Sequence, residues 1–255
     1  MTALVIAAIF ALGAMVQTMA GFGSALVIMP MLTFFIGIES AATVMAIAGC
    51  AVTVAVLFEN RKGLRWAEAG WLLVGSCIGI PLGTIALKAL PAAPVIGLLG
   101  GVLLAYALFR IILGKRFAVQ AEQQLEEPPR TGRSRIVSIM VGLTAGLLGG
   151  AYATDGPPLV IYGDVKGWPK ESFRSILQAV FLVDGALIIA CHGAGGLVSG
   201  DVITYSAYGV PGMLAGLGAG MWIDKRINHA LFHRILLVFV ILLGIALIAR
   251  AATMG

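Results

Sequence analysis

Two aspartates stand inside long apolar stretches of the sequence. Asp155 lies in "GGAYATDGPP" at 149–158, and Asp184 lies midway along the apolar run 174–192. Ionisable side chains in such surroundings are costly and are functional hypotheses by default. A carboxyl removed from water favours its neutral form, so either aspartate is a candidate to carry a proton that moves with, or exchanges for, a bound ligand. The alternatives are an N-cap role for Asp155 and, for Asp184, a hydrogen-bonded core position with Gln178 as a neighbour.

Helix breakers surround Asp155, and a second break, "AGFGS", occurs at 20–24. Free N–H groups at the start of a helix attract anions, and Pro157 and Pro158 suit its first turn. Glycines let the backbone approach a ligand, whereas small residues at kinks also serve helix packing alone. The Gln17 amide is a candidate donor or a helix–helix hydrogen bond. The candidate anion-binding residues are Gln17, Gly21, Phe22, Gly23, Ser24, Gly149, Gly150, Tyr152, Thr154, Asp155, Gly156 and Pro157.

The composition predicts that these breaks lie within a membrane. The 255 residues are 60% hydrophobic and only 11% charged, whereas a soluble domain averages about 25% charged residues. Apolar runs such as 93–113 and 231–249 have about the 20 residues that cross a bilayer as a helix. The sequence therefore predicts an all-α polytopic membrane protein with 8–10 membrane segments.

The basic residues predict an orientation. Of the 17 Lys and Arg residues, all but Lys88 and Arg250 fall on one side when the basic breaks are placed in the cytoplasm. Loops therefore account for the net charge of +5, and no nucleic-acid partner is expected. Both termini are predicted to be extracytoplasmic. The predicted crossing segments are 40–58, 67–88, 93–113, 174–192, 203–223 and 231–251.

The remaining apolar stretches, 3–37 and 136–163, must each start and finish on one side. Each is predicted to be a broken hairpin, either re-entrant or of two short helices. Ladders of Gly-x3-Gly spacing start at Gly75 and Gly212 and are assigned to helix packing or to a pore. The order predicts an inverted repeat of two halves, 1–113 and 136–255, joined by a cytoplasmic linker, 114–135; each half has a broken hairpin and three transmembrane helices.

Other chemistry has little support in the sequence. Cys50, Cys77 and Cys191 lack metal-type spacing, and His229 and His233 lack a third ligand. No nucleophile–base constellation and no phosphate-binding Gly-x4-Gly-Lys-[Ser/Thr] loop occurs, so neither an enzyme nor a cofactor is predicted. Arg174, at the start of 174–192, is either a gate for cytoplasmic anions or a snorkelling surface residue.

The chain resembles the TauE/SafE-type sulfite exporter family. The resemblance rests on "GFGSALVIMPMLTFFIG" at 21–37, on "GLTAGLLGGAYATDGPPLVIY" at 142–162, and on Phe173-Arg174 opening the next helix. It implies an exporter of small anions such as sulfite or sulfonates in a bacterial inner membrane. The function predicted is proton-coupled secondary transport by alternating access, with Asp155, Asp184, Gln178 and Arg174 as coupling or gating residues. A passive anion channel is the alternative. The sequence gives no oligomeric state.

Overall fold

A computed structural model describes residues 2–20, 22–60, 66–112, 132–224 and 229–254. Within these ranges the chain forms ten α-helices and no strand, which confirms the all-α prediction. The helices are α1 (Thr2–Ala20), α2 (Ser24–Ile36), α3 (Ile38–Asn60), α4 (Trp66–Ala89), α5 (Ala92–Ile112), α6 (Gly132–Tyr152), α7 (Gly156–Lys166), α8 (Lys170–Ala194), α9 (Gly200–Asp224) and α10 (His229–Met254).

Five helices are long and apolar enough to cross a membrane, namely α4, α5, α6, α8 and α10. Their exposed surfaces carry large apolar side chains such as Ile85, Leu98 and Leu242, which suits a surface solvated by lipid tails rather than water. The chain is therefore a multi-pass membrane protein. The predicted segments 93–113 and 231–251 correspond to α5 and α10.

Each predicted hairpin consists of one long and one short helix. α1 and α6 have 19 and 21 residues, which at ~1.5 Å per residue approaches a ~30 Å hydrocarbon core. α2 and α7 have only 13 and 11 residues, so each extends ~20 Å or less and cannot cross alone. Each hairpin therefore pairs a helix of nearly spanning length with a half-length one.

The breaks between these helices are short and have left-handed backbone. The first turns at Gly23, with φ 100°, a conformation that glycine adopts without steric cost. The second turns at Ala153, with φ 48°, which is uncommon for a residue with a Cβ. The chain thus reverses at residues 22–23 and 153–155, within the stretches where the sequence predicted breaks. Gly21 lies outside the described residues.

Glycine ladders hold the most closely packed helix pair, α4 and α6. A Cβ added at Gly75, Gly79 or Gly83 would lie 2.0–2.3 Å from backbone oxygens of α6. On α6, Gly142 and Gly150 meet the backbone of α4 in the same way. The ladders are therefore packing surfaces that allow two backbones to touch.

The second ladder has the same function on the other side of the molecule. Gly212 and Gly216 of α9 meet the backbone of α1 at Ala7 and Ala11. α5 also packs on α10, and α3 on α8. If α1–α5 are renamed α6–α10 in order, and the reverse, each of these helix contacts becomes a contact of the same set. Two equivalent, interlocked halves would give this pattern. The inverted repeat and its boundaries at 113 and 136 remain predictions, and residues 114–131 of the linker lie outside the described ranges.

Replacing Gly23 by alanine is expected to lower stability by about 1–2 kcal/mol, because a Cβ is strained in left-handed backbone. Space is not the reason, since the nearest side-chain atoms to such a Cβ are 3.8 Å away. Gly156→Ala at the start of α7 is the matched control, with its nearest atom also at 3.8 Å but without a positive φ. Thermal unfolding in detergent measures the difference. Equal midpoints for the two variants would contradict the backbone explanation.

Candidate functional site

The first residues of α2 and α7 line one cavity between the two hairpins. It has a volume of about 70 Å³ and is bordered by Gly23 to Leu26 on one side and Thr154 to Pro157 on the other. Space of that size holds several water molecules, at ~10–15 Å³ for each, or a small anion. The two short helices thus direct their N-terminal ends, which carry a partial positive charge, towards the same place.

The α2 side of the cavity offers neutral hydrogen-bond donors. The N–H groups of Ser24 and Ala25 open this helix and have no acceptor in a preceding turn. The hydroxyl of Ser24 and the amide of Gln17 also line the cavity. Gln17 and Ser24 are only 5% and 6% exposed, and within the described part of the chain neither side chain forms a hydrogen bond. Buried polar groups normally have partners, so these two are suited to a ligand.

The α7 side offers fewer donors, because Pro157 and Pro158 have no N–H. Asp155 stands at the N-cap position but makes no side-chain capping hydrogen bond, so its carboxyl is not used to close the helix. The Thr154 hydroxyl donates to the Tyr152 carbonyl oxygen at 2.9 Å. On the α7 side, an anion in the cavity would therefore meet the backbone of Gly156 and the positive end of the helix dipole. The Asp155 carboxyl lies beside them.

Behind Asp155 lies the second aspartate, Asp184 of α8. The two carboxyl groups are close enough to influence each other's ionisation, and the hydroxyl of Ser76 on α4 donates to Oδ1 of Asp184 at 2.6 Å. Asp184 has no exposed surface. Among the described residues, no basic side chain pairs with either carboxyl. Two like charges close together and away from water repel each other strongly.

No Lys, Arg or His is found among the described residues that border the cavity. An anion there would be held by neutral donors and by helix ends, beside a pair of carboxyl groups. A model of the sulfite exporter TauE/SafE family matches residues 5–247, nearly the whole chain. The chain belongs to the sulfite exporter TauE/SafE family. Neither a curated protein nor a solved structure matches it.

Membership in the TauE/SafE family implies a membrane transporter of sulfite or related anions. The matched region contains both chain breaks that border the cavity. The match therefore covers more than one of the two glycine-rich motifs. The family is one of transporters rather than enzymes. This description fits a chain whose polar atoms collect around a cavity between two broken hairpins.

Five further predicted site residues do not border the cavity. Gly149 packs against the Asp155 side chain, since a Cβ added at Gly149 would lie 3.3 Å from the Asp155 Cβ, and Gly150 packs against α4. Tyr152 is buried behind the break, and Gln178 is buried in α8. Arg174 lies half-buried near the start of α8. Their predicted roles in binding or gating therefore remain predictions, and any such role would be indirect.

The remaining walls of the cavity come from residues of α3 and α8 that the sequence analysis did not select. Ala46, Gly49, Cys50 and Thr53 of α3 line it. Gly185 of α8 approaches Cys50, because a Cβ added at Gly185 would lie 3.7 Å from the Cys50 Cβ. The signal was present in the sequence, because small residues at 46, 49, 50 and 53 share one helix face at 3–4 residue spacing.

A buried histidine joins three helices beside this site. His192 of α8 has no exposed surface, and its Nε2 is 2.8 Å from the carbonyl oxygen of Gly150. A carbonyl only accepts, so Nε2 carries a hydrogen. Nδ1 is 3.0 Å from the hydroxyl oxygen of Thr43 on α3. His192 thereby fixes the end of α6 just before its break, a positioning function that its place near a helix end did not reveal.

Proposed function

We propose that the chain exports a small anion, such as sulfite or an organosulfonate, by proton-coupled alternating access. The observation that carries the proposal is the cavity where two half-length helices direct their N-termini at one place beside a carboxyl pair. The family gives the class of substrate. Export and the bacterial inner membrane as location are parts of the proposal that rest on the family resemblance.

The binding step follows from the donors around the cavity. The N–H groups of Ser24 and Ala25, the hydroxyl of Ser24 and the amide of Gln17 donate to the oxygens of the anion. Such donors match a small oxyanion, which accepts several hydrogen bonds and needs no fixed cation when helix dipoles face it. The cavity volume of about 70 Å³ favours a small anion.

The coupling step follows from Asp155. When its carboxyl holds a proton, it is neutral and can donate a hydrogen bond to the anion. When the proton leaves, the carboxylate repels the anion. Binding of anion and proton therefore favour each other, so the two cross the membrane in the same direction. The combined gradients of anion and proton then set the direction of net flux, which is outward when the anion accumulates inside. Asp184 and Ser76 stand behind Asp155 and stabilise one arrangement of the shared proton.

Flux into proteoliposomes tests the proposal. Purified protein is reconstituted, and uptake of labelled sulfite, sulfate, thiosulfate and sulfoacetate is measured with and without a pH gradient. We expect saturable uptake of at least one of these anions, stimulated by the gradient, with protein-free liposomes as the baseline. Flux that does not saturate and ignores the pH gradient would show a channel instead. Folded protein with no flux of any of the four would contradict the substrate class.

Ser24→Ala separates binding from folding in the same assay. Loss of one hydrogen bond to a charged group costs about 1.5–3 kcal/mol, so the half-saturating anion concentration is expected to rise about tenfold or more. Ser206→Ala is the matched control, because that buried hydroxyl donates to the Val202 carbonyl oxygen and does not border the cavity. An unchanged half-saturating concentration in Ser24→Ala would remove Ser24 from the site.

A further inference from the structure

One arginine near the end of α5 contacts the far end of the short helix α7. Nη1 of Arg110 is 2.5 Å from Oδ2 of Asp164. The two side chains are 24% and 22% exposed, so water reaches the pair only in part and screens it less than a surface pair. Asp164 lies two residues before the end of α7, whose opposite end borders the cavity.

A second arginine, Arg250 near the end of α10, contacts the other short helix, α2. Its Nη1 donates to the carbonyl oxygen of Thr33 at 3.0 Å. Its guanidinium lies over the ring of Phe34, 5.0 Å from the centroid. Thr33 lies three residues before the end of α2, where the helix dipole is negative and favours a cation. Again the opposite end of the short helix borders the cavity.

The two contacts lie on opposite sides of the bundle's centre. α5 and α10 are antiparallel, because Cβ atoms added at Gly97 and Gly100 would meet Ala251 and Ile248, respectively. Arg250 is therefore level with about residue 98 of α5, which is ~12 residues or ~18 Å along the axis from Arg110. Each arginine lies on the last helix of one predicted half, and each contacts the short helix of the other half.

We propose that Arg110 and Arg250 form two latches on opposite sides of the anion cavity, and that each must release its short helix before the cavity opens to that side. The inference rests on the proposed alternating-access function. Release of α7 or of α2 moves the helix whose N-terminus binds the anion, so opening and loss of binding donors occur together. Both contacts are made in the structure described here.

The native Cys50 is a reporter of access, because it lines the cavity and is partly buried. Cys77 and Cys191 are first replaced by serine. A membrane-impermeant methanethiosulfonate bearing a sulfonate group is then added to one face of sealed vesicles, and the labelling rate of Cys50 is measured by mass spectrometry. Right-side-out and inside-out vesicles give the two faces.

Arg110→Ala is expected to raise the labelling rate about tenfold or more from one face only, since a hydrogen bond to a charged group is lost. Arg250→Ala is expected to raise it by a similar factor from the opposite face only. Asp164→Asn should reproduce the effect of Arg110→Ala, and exchanging the two as Arg110→Asp with Asp164→Arg should reverse it. Arg135→Ala is the matched control, because Arg135 lies over the Trp71 ring of α4 and contacts neither short helix among the described residues.

Three results would overturn the latches. One is faster labelling from the same face in both arginine variants. The others are unchanged labelling in both variants while thermal unfolding shows folded protein, and no labelling of Cys50 from either face in any variant. Labelling needs no transported anion, so it separates this inference from the proposed function. Sided labelling without anion flux would leave the latches and remove the transport proposal, and flux without sided labelling would do the reverse.

Discussion

Gly79→Ala is expected to destabilise the protein by about 2–3 kcal/mol or more, the upper end of the cost of overpacking. The added Cβ would lie 2.3 Å from the carbonyl oxygen of Leu143 and 2.8 Å from the Leu147 nitrogen. Both are backbone atoms, so no side-chain rotation relieves the contact. α4 and α6 must move apart along the pair of helices with the most extensive contact in the described structure. Thermal unfolding in detergent and the yield of monodisperse protein measure the effect.

Gly70→Ala on the same helix is the matched control. Nothing lies within 4 Å of a Cβ at Gly70, so the substitution should be neutral or stabilise by up to ~1 kcal/mol through helix propensity. The comparison removes differences in reconstitution and detergent, because both residues lie in α4. Similar unfolding midpoints for the two variants would mean that α4 and α6 are not in backbone contact at Gly79.

Much of the fold could be predicted from sequence because a lipid-facing helix must be long and apolar. The runs 93–113 and 231–251 correspond to α5 and α10, and the glycine-rich breaks correspond to the chain reversals at 22–23 and 153–155. The spacing of the glycines on α4 also indicated a close packing surface. These are local properties of the sequence. They predict structure directly, because the hydrocarbon thickness sets the length of a spanning helix and steric limits set where glycines are needed.

The helix pairing could not be predicted in the same way. The ladder on α4 meets a second ladder on α6, at Gly142, Gly146 and Gly150, which is visible in the sequence once sought. The ladder on α9 meets Ala7 and Ala11 of α1. Their four-residue spacing also suits close packing, but α1 has further alanines at 3, 8 and 14, so spacing alone does not select the contact. Which two small surfaces meet depends on the whole arrangement, since lipid solvates every apolar surface equally well.

The residues that line the cavity could be selected from the sequence only in part. Gln17, Ser24, Asp155 and Gly156 were selected as candidates and line it, and their role in binding remains a prediction. The contact between Asp155 and Asp184 depends on how the chain turns at Ala153, a left-handed residue that is not glycine. No local rule places an alanine there, so tertiary packing selects this backbone conformation.

Asp155→Asn is expected to keep anion binding but to reduce pH-gradient-driven uptake at least tenfold, because an amide has nearly the shape of a neutral carboxyl and carries no exchangeable charge. Binding by the wild-type protein should strengthen as pH falls, since the proton removes a negative charge from the cavity wall. In the variant, binding should be independent of pH. Uptake at matched anion concentrations with and without the gradient, together with anion exchange at equal pH on both sides, measures the two parts separately.

Asp184→Asn should behave differently, although the two aspartates are in contact. Its amide oxygen can still accept from Ser76, but its amide N–H then faces Asp155 and donates to it. This arrangement stabilises the ionised form of Asp155 beside the cavity, so anion binding itself should weaken about tenfold or more. Asp201→Asn, at an exposed position in the first turn of α9, controls for the loss of one negative charge.

Two outcomes would contradict these roles. If Asp155→Asn retained the full response to the pH gradient, the proton would be carried elsewhere. Equal defects in Asp155→Asn and Asp184→Asn would mean that the pair acts only as one structural unit.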